Sequence, residues 1–306
     1  MAIRIGIVGL GKIAHDQHIP VLTASPDFEL VAAASHHGTL ATGATFRTIE
    51  EMIEGAEALD AIALCQPPQV RFEAARLALA AGKHVFLEKP PGATLSEVRI
   101  LRDIARDHGV TLFASWHSRY ASGVEPARTW LAGRRITSVA IEWKEDVRHW
   151  HPNQAWIWQA GGMGVFDPGI NALSIATHIL QPFFLTDGTL YMPENRAAPI
   201  AADLRFTDAA GTPIRAEFDW RQTGPQTWDI RVEAEDGLLL LSKGGSELTI
   251  DGAAQLVPLE AEYRGLYDRF AALVKAGESD VDVSPLRHVA DAFLRAERRR
   301  VEAFED

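Results

Sequence analysis

Close to its start the chain carries Ile5-Gly6-Ile7-Val8-Gly9-Leu10-Gly11-Lys12-Ile13-Ala14, an apolar run that breaks at glycines and resumes with helical spacing. Strand, tight turn and helix in that order make a G-x-G-x-x-A fingerprint, which points to an α/β fold whose first turn faces a dinucleotide. Each position has a physical task. Gly9 permits the turn, Gly11 lets backbone approach a pyrophosphate, and Ala14 lets the helix pack closely on the strand. The phosphates then meet the free N–H groups and positive dipole end of that helix. Contacts to the dinucleotide are expected from Gly9, Gly11, Lys12 and Ile13.

The chain that follows keeps the pattern. Phe28 to Ala34 reads as a strand ending at Ser35-His36-His37, where an acidic residue would hold the ribose 2′-hydroxyl of NAD. None is there, and Ser35 with His36 can donate hydrogen bonds to a 2′-phosphate, so NADP is accepted as well as NAD. Strands are predicted over Ala58–Leu64, His84–Leu87 and Thr111–Ala114, with helices over Val70–Ala81 and Ser96–His108. Helices between short apolar strands imply right-handed crossovers and a parallel, doubly wound sheet. Gln66-Pro67-Pro68-Gln69 leaves one of these strands at the carboxyl edge, which places Gln66, Pro67 and Gln69 beside the cofactor.

Glu88-Lys89-Pro90 ends the strand His84–Leu87 and delivers a lysine to the same edge. Pro90 holds Lys89 in extended backbone. With the glycine fingerprint and the segment around Asp167, this stretch resembles the glucose-fructose oxidoreductase and inositol dehydrogenase family, Gfo/Idh/MocA, and the resemblance covers the whole chain. It implies that Lys89 is catalytic and that Glu88 and Lys89 both meet the cofactor.

Beyond Trp116 a helix is predicted over Val124–Ala132, then β-like runs over Ser138–Val147, Ala201–Thr207, Ile214–Trp220, Thr227–Ala234, Leu238–Lys243 and Glu247–Ile250. Short turns such as Asp236-Gly237 and Gly244-Gly245 join some of them and indicate an antiparallel sheet. Closing helices are predicted over Leu259–Lys275 and Ser284–Phe304, the last with Arg298, Arg299 and Arg300 on a solvated face. The expected organisation is therefore a Rossmann dinucleotide domain over 1–117 and an α+β domain with a large, mainly antiparallel, open-faced sheet over 118–306, whose last helix can return to the first domain. One sheet face then packs on helices; the resemblance implies that the other meets a second copy of the chain.

Gly161-Gly162-Met163-Gly164-Val165-Phe166-Asp167-Pro168-Gly169-Ile170-Asn171 reads as a glycine turn into a helix, with Asp167 as N-cap and Pro168 in the first turn. Asp167 and Asn171, four apart, share a face. The family usually has histidine where this chain has Asn171. The lysine, aspartate and asparagine set is similar to that of family members oxidising C1 of L-arabinose and D-galactose, which implies a catalytic trio of Lys89, Asp167 and Asn171. An inositol or other polyol dehydrogenase, and a non-catalytic NADP-binding regulator, are the alternative readings.

Oxidising an aldose at C1 to its lactone needs a nicotinamide to take the hydride and a base at the anomeric hydroxyl. Lys89, desolvated beside a cationic nicotinamide, would have its pKa lowered into a useful range. Asp167 bonded to the same hydroxyl or to the lysine would oppose that shift. Asn171 orients without titrating. Sugar hydroxyls and faces are assigned to Lys89, His117, Glu145, Trp150, Asp167, Asn171 and Trp228. Composition narrows the partners. A net charge of −11 argues against nucleic acid and anionic membranes, and no apolar run nears the ~18 residues of a bilayer span. The single cysteine, Cys65, excludes an intrachain disulfide, and the histidines lack ligand spacing, so no metal is expected. A soluble cytoplasmic protein acting on a monosaccharide is the expectation.

Overall fold

The computed structural model describes residues 1–152, 154–259 and 261–305. The chain forms two compact units, 1–117 with 263–283 and 118–262 with 284–306.

In the first unit β1 (Ile3–Val8), β2 (Phe28–Ala34), β3 (Ala44–Phe46), β4 (Ala61–Leu64), β5 (His84–Leu87) and β6 (Leu112–Ala114) pair in parallel in the order β3-β2-β1-β4-β5-β6. Connections run through α1 (Ile19–Ala24), α2 (Ile49–Gly55), α3 (Pro68–Ala80) and α4 (Leu95–Asp107). The order reverses between β1 and β4, and there the carboxyl ends open a crevice. The central strands are near-continuously buried, as a sheet covered on both faces requires. Three local differences from the sequence reading appear. The first helix enters as a π turn over Ala14–His18, β4 begins at Ala61, and β3, too short for periodicity to reveal, adds an edge strand.

The second unit is built on β7 (Ile136–Lys144), β8 (Phe183–Pro193), β9 (Ala201–Asp208), β10 (Pro213–Asp219), β11 (Thr227–Ala234), β12 (Gly237–Ser242), β13 (Glu247–Ile250), β14 (Ala253–Ala254) and β15 (Glu297–Val301). Their order is β14-β13-β12-β11-β7-β10-β9-β8-β15. The sheet is mostly antiparallel, but β7 pairs in parallel with β10 and β15 with β8. Val139, Ile141, Trp143, Ile214, Phe218, Ile230 and Val232 point to one buried face. The chain's remaining helices are α5 (Val124–Leu131), α6 (Val147–Trp150), α7 (Phe166–Ile179), α8 (Glu262–Ala276) and α9 (Ser284–Arg295). Gly169 lets α7 lie against the sheet, since a Cβ there would stand 2.9 Å from the Phe218 ring. The other face carries Glu142, Asp203, Arg205, Arg215, Glu217 and Arg231, all exposed.

Two expectations need correction. The closing helix stops at Arg295; Glu297–Val301 is an edge strand, so Arg298, Arg299 and Arg300 lie on a sheet edge rather than a helix. Alternating charge near a chain end mimics a solvated helix, and only pairing with β8 reveals the strand. The chain also returns to the first unit over 263–283, because Tyr263, Tyr267 and Phe270 pack on His18, Phe28 and Phe86 while Asp280 bonds the backbone of β6. Among the described residues no helix is long and apolar enough to cross a membrane.

Candidate active site

The first unit supplies a cradle at the strand-order reversal. Gly9 has φ +92° and its Cβ would press on Gln66 at 3.2 Å, so only glycine suits the turn. A Cβ on Gly11 would meet nothing within 4 Å, which leaves space where the fingerprint places phosphates. Gly9, Gly11, Ser35, His36, Gln66 and Pro67 line one cavity of about 590 Å³. The buried side-chain oxygens of Gln66 and Gln69 have no hydrogen-bond partner among the described residues, and orphaned acceptors at a carboxyl edge suit a ligand's donors. The residues present therefore fit a dinucleotide. Lys12, Ile13, Gln69, Glu88 and Lys89 do not line that cavity. Lys12 instead pairs with Asp16 one turn on.

Lys89 stands at the end of β5, held through its backbone. Its N–H donates to Glu88 Oε2 at 2.6 Å, and the peptide to Pro90 is cis. Glu88, expected to meet the cofactor, instead turns a buried carboxylate inward: Oε1 accepts from the Tyr263 hydroxyl at 2.6 Å and lies 3.2 Å from His18 Nε2. Burial alone would push this carboxyl up, but His18, the charge of His117 and the Tyr263 hydroxyl hold it at about 2. Burial likewise opposes charge on His18, whose neighbours Cys65, Tyr267 and Glu88 nevertheless raise its pKa well above the ordinary value. The Tyr267 hydroxyl, 2.6 Å from His18 Nδ1, is itself pushed upward by burial and stays neutral near pH 7, so Glu88 is the anion that matters. His117 stacks on Tyr263 with centroids 5.5 Å apart.

Arg71, buried on α3, completes this support. Its guanidinium donates to the carbonyl oxygens of Gln66, Glu88 and Pro90, joining the Gln66-Pro67 loop to the lysine loop. A planar fork of five donors can span two loops in this way; lysine's single ammonium cannot reproduce it.

The second unit supplies carboxylates. The helix α7 starts earlier than its sequence suggests: Val165 occupies the cap without a side-chain bond, and Asp167 lies in the first turn with Pro168 after it. Asp167 is buried, and Asn171, one turn on, is partly exposed. Facing Asp167 is His151, which follows α6. Its Nδ1 lies 3.6 Å from Asp167 Oδ2 and its Nε2 3.5 Å from Glu145 Oε1. Glu145 is buried and accepts the indole N–H groups of Trp220 at 3.2 Å and Trp228 at 2.9 Å. Trp228 packs between Trp143 and the more exposed Trp150, with centroids 5.8 and 5.0 Å away. An imidazole between two fixed carboxylates can donate to and accept from a polyol. The structure thus brings Glu145, Trp150 and Trp228 into one cluster, and Glu145 and Asp167 to a shared histidine that sequence reasoning missed.

Arg71, His18, Tyr263 and His151 left no periodic signal. Only the position of Arg71, just after Gln66-Pro67-Pro68-Gln69 on an otherwise apolar helix face, offered a hint. Among the described residues no three His, Cys, Asp or Glu side chains form a metal-holding group.

Comparison with known proteins agrees with this architecture. The oxidoreductase family of NAD-binding Rossmann fold, Gfo/Idh/MocA, matches residues 3–115. A galactose 1-dehydrogenase of Pseudomonas fluorescens is 47% identical over 305 residues, 99% of each chain. The crystal structure of a D-galactose-1-dehydrogenase protein from Rhizobium etli is 60% identical with a TM-score of 0.96, covering 99% of this chain and 98% of that one. A 3-ketoreductase from Actinomadura kijaniata solved with NADP shares the fold at TM-score 0.85 and 20% identity, over 98% of this chain and all of the other.

Proposed function

Because the chain belongs to the Gfo/Idh/MocA oxidoreductase family, we propose that it oxidises the anomeric carbon of D-galactose, and of L-arabinose, to the lactone with NADP or NAD. The observation that carries this reading is the near-complete match, at high identity, to galactose 1-dehydrogenases. L-Arabinose is included because the two pyranoses share configuration at C3 and C4.

Bound in the cradle, the nicotinamide supplies the hydride acceptor. Gly9 and Gly11 admit the pyrophosphate to the backbone, and Gln66 and Gln69 offer their orphaned oxygens to donors of the cofactor. Lys89 acts at the anomeric hydroxyl, taking its proton as C1 becomes a carbonyl and passing it to solvent. Asp167 bonds the same hydroxyl. Asn171 presents one donor and one acceptor to the ring. His151 and Glu145 hold further hydroxyls, and Trp150 and Trp228 offer aromatic faces beside them; His117 serves as an additional hydroxyl contact. In the cytoplasmic setting proposed, a second copy docks on the sheet face that carries the exposed acids and arginines.

The test is formation of reduced cofactor with D-galactose, L-arabinose, D-glucose, D-xylose and myo-inositol. The proposal expects D-galactose and L-arabinose to lead. Turnover of myo-inositol with no aldose oxidised would replace it by a polyol dehydrogenase, and cofactor binding without turnover on any sugar by a regulator.

A further inference from the structure

We propose that Arg47 binds the 2′-phosphate of an adenosine ribose and so sets this protein's preference for a phosphorylated cofactor. The inference rests on the reading of the first unit as a nicotinamide dinucleotide domain and adds a residue that the glycine fingerprint does not reveal.

Parallel pairing of β2 with β3 matches Ala34 to Phe46, and the Ser35 N–H donates to the Phe46 carbonyl at 3.0 Å. Ser35 and Arg47 therefore leave neighbouring strands side by side at the carboxyl edge. Both line the cavity that begins at Gly9 and Gly11, together with His36 and His37. Residues 35–37 bring no carboxylate to the ribose, where one would hold a 2′,3′-diol and repel a phosphate. The backbone of Arg47 is fixed: its N–H donates to Glu51 Oε2 at 3.0 Å, and Thr48 caps α2 by accepting from the Glu51 N–H at 3.3 Å. Its guanidinium makes no hydrogen bond or ion pair among the described residues and is exposed. A cation on an anchored backbone, without an internal partner, has its fork available for phosphate oxygens. Glu50 and Glu73 line the same cavity and oppose a dianion, so Ser35 and His36 alone would give weak selectivity. The arginine charge offsets them.

The experiment measures, on the full chain, Kd for adenosine 2′,5′-bisphosphate and for 5′-AMP by calorimetry, and kcat/KM for NADP and NAD with galactose, in wild type, Arg47→Gln and Arg47→Lys. Wild type is expected to bind the bisphosphate at least ~10-fold more tightly than 5′-AMP, in keeping with a charge-assisted contact. Arg47→Gln should raise KM for NADP by about 10- to 50-fold and leave NAD kinetics within about two-fold, while Arg47→Lys restores part of the difference. Equal binding of the two probes by wild type, an unchanged NADP to NAD ratio in Arg47→Gln, or a parallel loss with both cofactors overturns the assignment. These results leave the dehydrogenase reading standing if NAD still supports turnover; failure of wild type with both cofactors and both probes removes that reading as well.

Discussion

Lys89 is placed by its neighbours: Glu88 fixes its N–H, and Arg71 fixes the carbonyls on either side. The lysine itself was legible, because a strand ending in Glu-Lys-Pro can deliver it only to the ligand edge. Its supports were not, since His18, Arg71 and Tyr263 stand far apart in sequence and meet Glu88 only in the fold. Arg71→Lys retains charge but loses the fork, so kcat should fall by about 10-fold or more while KM for galactose changes little; steady-state kinetics check it. For Asp167→Asn, kcat should drop about 10- to 100-fold as the charge-assisted hydrogen bond to the anomeric hydroxyl is lost, with cofactor Kd from calorimetry unchanged. Glu88 also makes an acid-sensitive contribution. Its folded pKa of about 2 lies below the unfolded 4.5, so this contribution is complete above about pH 4.5 and is lost as pH falls through 2. It amounts to about 3 kcal/mol. His18 has the opposite sign: raised in the fold, it contributes below about pH 6.5 and loses that contribution as pH rises through its folded value. Thermal melts of Glu88→Gln between pH 7 and 3 should accordingly show a flatter acid limb than wild type; an equally steep limb would assign the acid sensitivity elsewhere.

At the scale of elements, alternating strands and helices were readable because each crossover imposes its own period and each turn its own residues. β5, β11 and β13 begin and end where their patterns do. The failures have physical causes. β15 reads as helix because an edge strand protected by charge resembles a solvated helical face. β8, edged with half-buried residues and bent by a register shift, breaks its alternation. The start of α7 moved because Asp167, a favourable cap residue, sits inside the first turn, two positions past a cap at Val165 that makes no side-chain bond. Close packing of α7 on the sheet gives a sharp test. Gly169→Val would drive carbon into the Phe218 ring, and denaturant unfolding should show a loss of about 1–3 kcal/mol.

For the whole molecule, the sequence boundary at 117 lies where the chain leaves the first unit, but no local signal marks 263–283 as belonging there. That membership rests on aromatic contacts of Tyr263, Tyr267 and Phe270, which periodicity reports only as a buried helix face. The exposed, charged face of the nine-stranded sheet leads to a prediction about assembly. Sedimentation equilibrium should give twice the 33.5 kDa chain mass at low salt, and added salt should weaken the pair. The central claim is that the bond broken is the one at the anomeric carbon. Turnover of [1-²H]-D-galactose with oxidised cofactor, followed by NMR of both products, reads this directly. Deuterium on C4 of the reduced nicotinamide and a lactone without deuterium is the predicted result; deuterium retained on C1 of the sugar product would contradict the claim and place the oxidation at another carbon.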